Sequence, residues 1–167
     1  YSSGVPSLNY GGISTEVSST ALKNIFANQP GNALAAAMCG TTLDAVNQGD
    51  LLNTTLRDAP ALNTAFPGNE TARRLAMVAK LISAAPTLGL KRQIFFVQLG
   101  GWDMHGAQGG SHGPLLAELS GAMNAFYNAT VELGVANQVT TFTASDFGRT
   151  YVPNAGGTDH GWGNHQL

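Results

Sequence analysis

The sequence predicts an α/β fold: a mostly parallel sheet flanked by helices, preceded by a helical amino-terminal half. Three observations carry that expectation. The run Gln93-Ile94-Phe95-Phe96-Val97-Gln98-Leu99 is almost continuously apolar, rich in strand formers and ended by Gly100-Gly101. Such a run reads as a strand covered on both faces, as in a parallel sheet. A second run of strand formers, Val139-Thr140-Thr141-Phe142-Thr143-Ala144, follows it. Between the two, Leu115, Leu119, Met123, Phe126 and Thr130 recur on one helical stripe, with Gly134 just beyond. Strand, helix and strand over roughly fifty residues make a βαβ unit, whose crossover should be right-handed.

The elements follow in order. Residues 1–19 are rich in Ser, Gly and Tyr and read as extended, irregular chain. A short helix is expected from 20 to about 28, with Leu22, Ile25 and Phe26 on one side. Residues 32 to about 47 are Ala-rich and helical, and 51–57 add another turn or two. The breaker-rich stretch 58–68 connects them to a helix over 71–85, where Leu75, Val78, Leu81 and Ile82 recur at helical spacing and Pro86 ends it. In the helix after the first strand, Ser111 is the expected cap and Pro114 sits near the first turn. The chain thus divides into an irregular and helical region, 1–92, and the βαβ unit, 93–167, within one domain.

Composition narrows the partners. A net charge of −2 offers no basic footprint for nucleic acid. No segment approaches the roughly 20 apolar residues a membrane helix requires. Only 11% of residues are charged, with Gly, Asn, Thr, Ser and Ala in their place, which tilts toward an exported or assembled protein. Cys39 is the single cysteine and reads as a buried small hydrophobe. The start at Tyr1 and the stop at His165-Gln166-Leu167, after a loop, read as the interior of a longer chain.

The chemistry is concentrated in the last third. All four histidines lie between His105 and His165. Two sit in Gly-rich motifs with aspartate: Gly100-Gly101-Trp102-Asp103-Met104-His105 and Gly157-Thr158-Asp159-His160-Gly161-Trp162-Gly163. Between them lies Ser145-Asp146-Phe147-Gly148-Arg149-Thr150. Carboxylate and imidazole on separate loops are what a divalent cation needs. Asp-x-His in extended chain points both side chains to one side. The first and middle motifs leave the carboxyl ends of the two expected strands, where sites form in open α/β sheets. Asp103, His105, Asp146, Asp159 and His160 are therefore the candidate metal ligands, for Zn²⁺, Mn²⁺ or Ca²⁺. Each also has a structural alternative: Asp103 as turn former, Asp146 as turn cap paired with Arg149. His112 belongs more naturally to the helix start. Trp102 and Trp162 would wall the pocket, seal the core beneath it, or both.

These three motifs, in this order and spacing, resemble the bacterial family catalogued as domain of unknown function 1501, over about residues 93–167. Members are typically longer, usually carry a twin-arginine export leader and continue past Gly-Trp-Gly. The resemblance implies an exported, periplasmic or extracellular protein. It also implies the alkaline phosphatase and sulfatase superfamily, an α/β/α sandwich whose enzymes use one or two divalent metals on phosphate or sulfate esters. By position, Asp103 and His105 resemble the pair sharing one metal, and Asp146 the aspartate of the second. His160 resembles the histidine that returns to the first, with Asp159 as a ligand or as a carboxylate behind one. Arg149 is the expected anion clamp. Phe147 departs from the pattern, standing where the superfamily has histidine. The nucleophile is not identifiable either, since Ser14, Thr15 and Thr41 have no supporting context. Two functions follow as expectations. One is an exported metal-dependent hydrolase of small-molecule or polymer phosphate or sulfate esters. The other is a non-catalytic exported surface or assembly protein that keeps the fold and associates with other chains or with the rest of its own polypeptide.

Overall fold

The computed structural model describes residues 15–27 and 31–167. The expected irregular stretch over 1–14, and residue 28 at the expected end of the first helix, lie outside the described residues. The described chain is mostly helical: α1 is Thr15–Ala27, α2 Ala33–Asp58, α3 Glu70–Ala84 and α4 Gln108–Glu132. A 3-10 turn follows at Ala136–Gln138, then two-residue strands β1, Gly148–Arg149, and β2, His160–Gly161. The chain forms two compact units, one running up to Pro60 with Ala84–Arg92, the other comprising Ala61–Ser83 and Gln93–Leu167.

In the first unit α1 begins at Thr15, so the helix starts within the stretch expected to be irregular. It packs on α2, with Lys23 Nζ 2.6 Å from Asp50 Oδ2. Asn32 caps α2 by accepting from the Leu34 and Ala35 N–H groups at 2.9 and 3.3 Å, satisfying donors the first turn leaves open. The two helical stretches expected at 32–47 and 51–57 are one continuous helix. Gly49 lies at the junction and is buried, as are Val46 and Leu56.

The core of the second unit joins α3 to α4. Asn69 Oδ1 accepts from Ala72 N–H at 2.8 Å and starts α3. Ala72, Leu75, Val78 and Ala79 pack with Ala122, Phe126 and Ala129 of α4. Their spacing of three and four residues puts each set on one helical stripe. Thr71 Oγ1 donates to Glu118 Oε1 at 2.6 Å beside that core. The Glu132 carboxylate accepts from Asn63 N–H at 2.7 Å, Thr64 N–H at 2.8 Å and Thr64 Oγ1 at 2.6 Å, fastening the connection before α3 to the end of α4. α4 starts three residues before the expected cap, so Ser111 and Pro114 both lie inside it. It ends as expected at Gly134, whose φ of +70° is the left-handed turn that lets Val135 N–H reach back to Thr130 O at 2.9 Å.

The parallel sheet is not there among the described residues. The one sheet is the antiparallel pair β1–β2, with Gly148 opposite Gly161 and Arg149 opposite His160. Neither 93–99 nor 139–144 is a strand, so the βαβ unit and the α/β sandwich both fall. Strand-forming side chains are not enough, because a strand exists only through a ladder to a neighbour. Here each run lies alongside helices instead. Phe95, Val97 and Val139 pack on the α3–α4 core, while Ile94 is 99%, Phe96 87% and Phe142 73% exposed. Residues 93–99 are thus covered on one face only, with alternation hidden by an apolar outer face.

Candidate metal centre

Three loops are brought together by backbone approach and by one guanidinium. The segment 100–107 leaves the extended run, turns at Gly101 (φ +91°) and enters α4 through Ala107. Within it Met104 is buried, and its neighbours Asp103 and His105 project to the opposite, exposed side. The hairpin β1–β2 presents His160 opposite Arg149. Its glycines are required by space: a Cβ on Gly161 would lie 2.8 Å from Thr150 N, and one on Gly157 would lie 2.9 Å from Met104 O. Arg149, only 18% exposed, donates from Nη1 to Thr158 O at 2.5 Å and from Nη2 to Trp102 O. One planar fork therefore ties the first motif to the last.

At the meeting point, Asp103 Oδ1 lies 2.9 Å from His105 Nε2 and 2.8 Å from His160 Nε2. The donor atoms of Asp103, His105 and His160 all lie within 4.8 Å of one another on the exposed surface. On the far side of the imidazole, His105 Nδ1 lies 3.0 Å from Asp159 Oδ1. Rings stack behind the cluster: His105 on His160 at 5.0 Å, and Phe147 on His160 at 4.0 Å and 8°. The Arg149 guanidinium lies 5.0 Å from the Phe147 ring centroid and 3.7 Å from Asp103 Oδ1. The hydrogen bond from His160, with His105 and Arg149 beside it, holds the Asp103 carboxyl below its ordinary value. Asp159 is lowered in the same way, chiefly by its hydrogen bond from His105 and then by Asn154.

The sequence candidates separate accordingly. Asp103, His105 and His160 converge. Asp159 abuts the back of His105 rather than joining the three, and Asp146 is exposed outside the group. Arg149 is spent on two carbonyls and the edge of the cluster. Trp102 stands edge-on to His112 at 5.5 Å, half-buried, whereas Trp162 is fully exposed and seals nothing in this structure. Sequence reasoning missed Asn154 and the part played by Phe147. The tripeptide Asn154-Ala155-Gly156 carried a signal for the first, since Asn before Gly favours side-chain-to-backbone turns. Phe147 had no such signal, because a ring stacked on a histidine across a hairpin has no local signature.

Fold and site define a largely helical protein that presents an exposed Asp/His cluster held between three loops. A family model described as a protein of unknown function, DUF1501, matches residues 27–167, and the chain belongs to that family. The match extends well before the motif-bearing stretch. No curated protein matches the chain, and no solved structure does.

Proposed function

We propose that Asp103, His105 and His160 hold a divalent cation and that the protein is an exported, metal-dependent hydrolase of phosphate or sulfate esters. The observation that carries the metal is the position of His105 between two carboxylates, at 2.9 and 3.0 Å. A neutral imidazole has one N–H and one lone pair, so it donates to only one of them. The other contact needs a second proton or a cation, and a cation between Nε2 and Asp103 would take His160 Nε2 as its third donor. Two imidazoles and one carboxylate suit Zn²⁺ or Mn²⁺ better than Ca²⁺, which prefers an all-oxygen shell.

Bound there, a divalent cation supplies Lewis acidity toward an ester oxygen and lowers the pKa of a water it binds. The chain does the rest by placement. Exposure of all three donors leaves the solvent side open to a substrate anion. Arg149 sets the spacing of the loops and adds positive charge beside Asp103, which supports anion binding. The engagement of its Nη atoms by Trp102 O and Thr158 O favours a second function, a non-catalytic exported protein that keeps the cation for structure. A screen of aryl phosphate and aryl sulfate esters with Zn²⁺- or Mn²⁺-loaded protein separates the two. Turnover lost in Asp103→Ala supports the hydrolase. Stoichiometric metal without turnover on either ester class assigns the structural role.

A further inference from the structure

We infer that Asn154 and Asp159 form a positioning relay that fixes which ring nitrogen His105 offers to the cation, an inference that rests on the metal centre proposed above. Asp159 Oδ1 is 3.0 Å from His105 Nδ1, while Nε2 faces Asp103 and the position shared with His160. A carboxylate at Nδ1 holds the proton there and leaves the lone pair on Nε2, the nitrogen facing the other donors. Asp159 is held in turn: Asn154 Nδ2 donates to the same Oδ1 at 3.2 Å. The amide orientation of Asn154 follows from its other end, where Oδ1 accepts from Gly156 N–H at 3.0 Å and Gly157 N–H at 2.7 Å. The Asn154 backbone N–H closes the same turn on Gly157 O at 2.9 Å. That turn is anchored to the first residue of α4, where Gln108 N–H donates to Gly156 O at 3.0 Å and Gln108 Oε1 accepts from Thr158 Oγ1 at 2.8 Å. An unbroken run of hydrogen bonds therefore leads from the start of α4 through Asn154 and Asp159 to the back of His105.

Asp159→Asn is nearly isosteric and tests the relay without removing a residue from the core. An amide at that place accepts from or donates to Nδ1 equally well, so the tautomer preference is lost. Zn²⁺ titration of the whole protein by calorimetry should show Asp159→Asn binding roughly 10- to 100-fold more weakly than the wild type. A second readout needs no metal: nitrogen–proton NMR correlations of the His105 ring in an Asp103→Ala background, where Asp159 is the remaining carboxylate. The Nδ1–H form should predominate there and give way in Asp103→Ala/Asp159→Asn. Wild-type zinc binding unchanged within twofold by Asp159→Asn, with the same tautomer in both backgrounds, overturns the relay while the metal centre stands. A wild type that binds no Zn²⁺ overturns the metal centre itself, and the tautomer measurement then decides alone whether Asp159 orients the ring.

Discussion

A phenyl ring lies flat against the His160 imidazole. Phe147 at 4.0 Å and 8° and His105 at 5.0 Å and 26° both stack on it and confine the plane of the imidazole. Offset aromatic pairs contribute about 0.5–1.5 kcal/mol beyond their buried area. Phe147→Ala should therefore weaken Zn²⁺ binding by roughly twofold to tenfold, by the same energies, and broaden the His160 ring signals in NMR. Phe147→Leu, which refills the volume without the flat face, should recover stability more than affinity. An unchanged affinity in both variants would show that the stack is incidental packing. At this scale much of the site was legible. Asp103-Met104-His105 points its two polar side chains one way by the alternation of extended chain, with Met104 buried behind them. The convergence of His160 was readable as a return of the last loop. The separation of Asp146 from the group was not readable, and for Asp159 the sequence left ligand and carboxylate behind one both open; the choice depends on a hairpin register that no local spacing encodes.

Among the elements, helices were easier to foresee than strands for a physical reason. A helix satisfies its own backbone, so the stripe Leu75, Val78 and the stop at Gly134 are local information. A strand needs a partner, and residues 93–99 and 139–144 have strand composition without a ladder between them. Composition also hid the caps. α4 begins three residues early, entered from Ala107 in the left-handed region with no side-chain cap, and Ser111 lies inside it. Gly134 supplies the clearest test at this level. With φ at +70°, an alanine there is strained, and Gly134→Ala should destabilise the second unit by about 1 kcal/mol. Urea denaturation followed by circular dichroism reads this directly; no shift in midpoint would mean that the end of α4 relaxes freely.

Across the molecule, acid should be the condition that loosens the fold. Glu132 is the strongest case: the Thr64 hydroxyl, then the Asn63 and Thr64 N–H groups, lower its carboxyl from 4.5 to about 2. The sign follows from where the proton binds. The unfolded chain takes it up near 4.5 and the folded one only near 2, so the clasp contributes fully above 4.5 and is lost as pH falls toward 2. Glu132→Gln should lower the urea midpoint at pH 7 and flatten its dependence between those limits, leaving the two proteins alike at the acid end. Equal slopes for wild type and variant would remove Glu132 from the account of acid stability. Fold class was the part least visible in the sequence. The motifs identify the family, yet the runs expected as sheet strands stay unpaired beside the helices, and the motif loops are held by close glycine contacts and by Arg149 rather than by a ladder.

The proposed function stands or falls with the binding of one divalent cation by Asp103, His105 and His160. Elemental analysis of natively purified protein, wild type beside Asp103→Ala/His160→Ala and without added metal, tests it most directly. Close to one equivalent of zinc or manganese in the wild type, absent from an equally folded double variant, is the expected result. No metal in either, or equal metal in both, would contradict it.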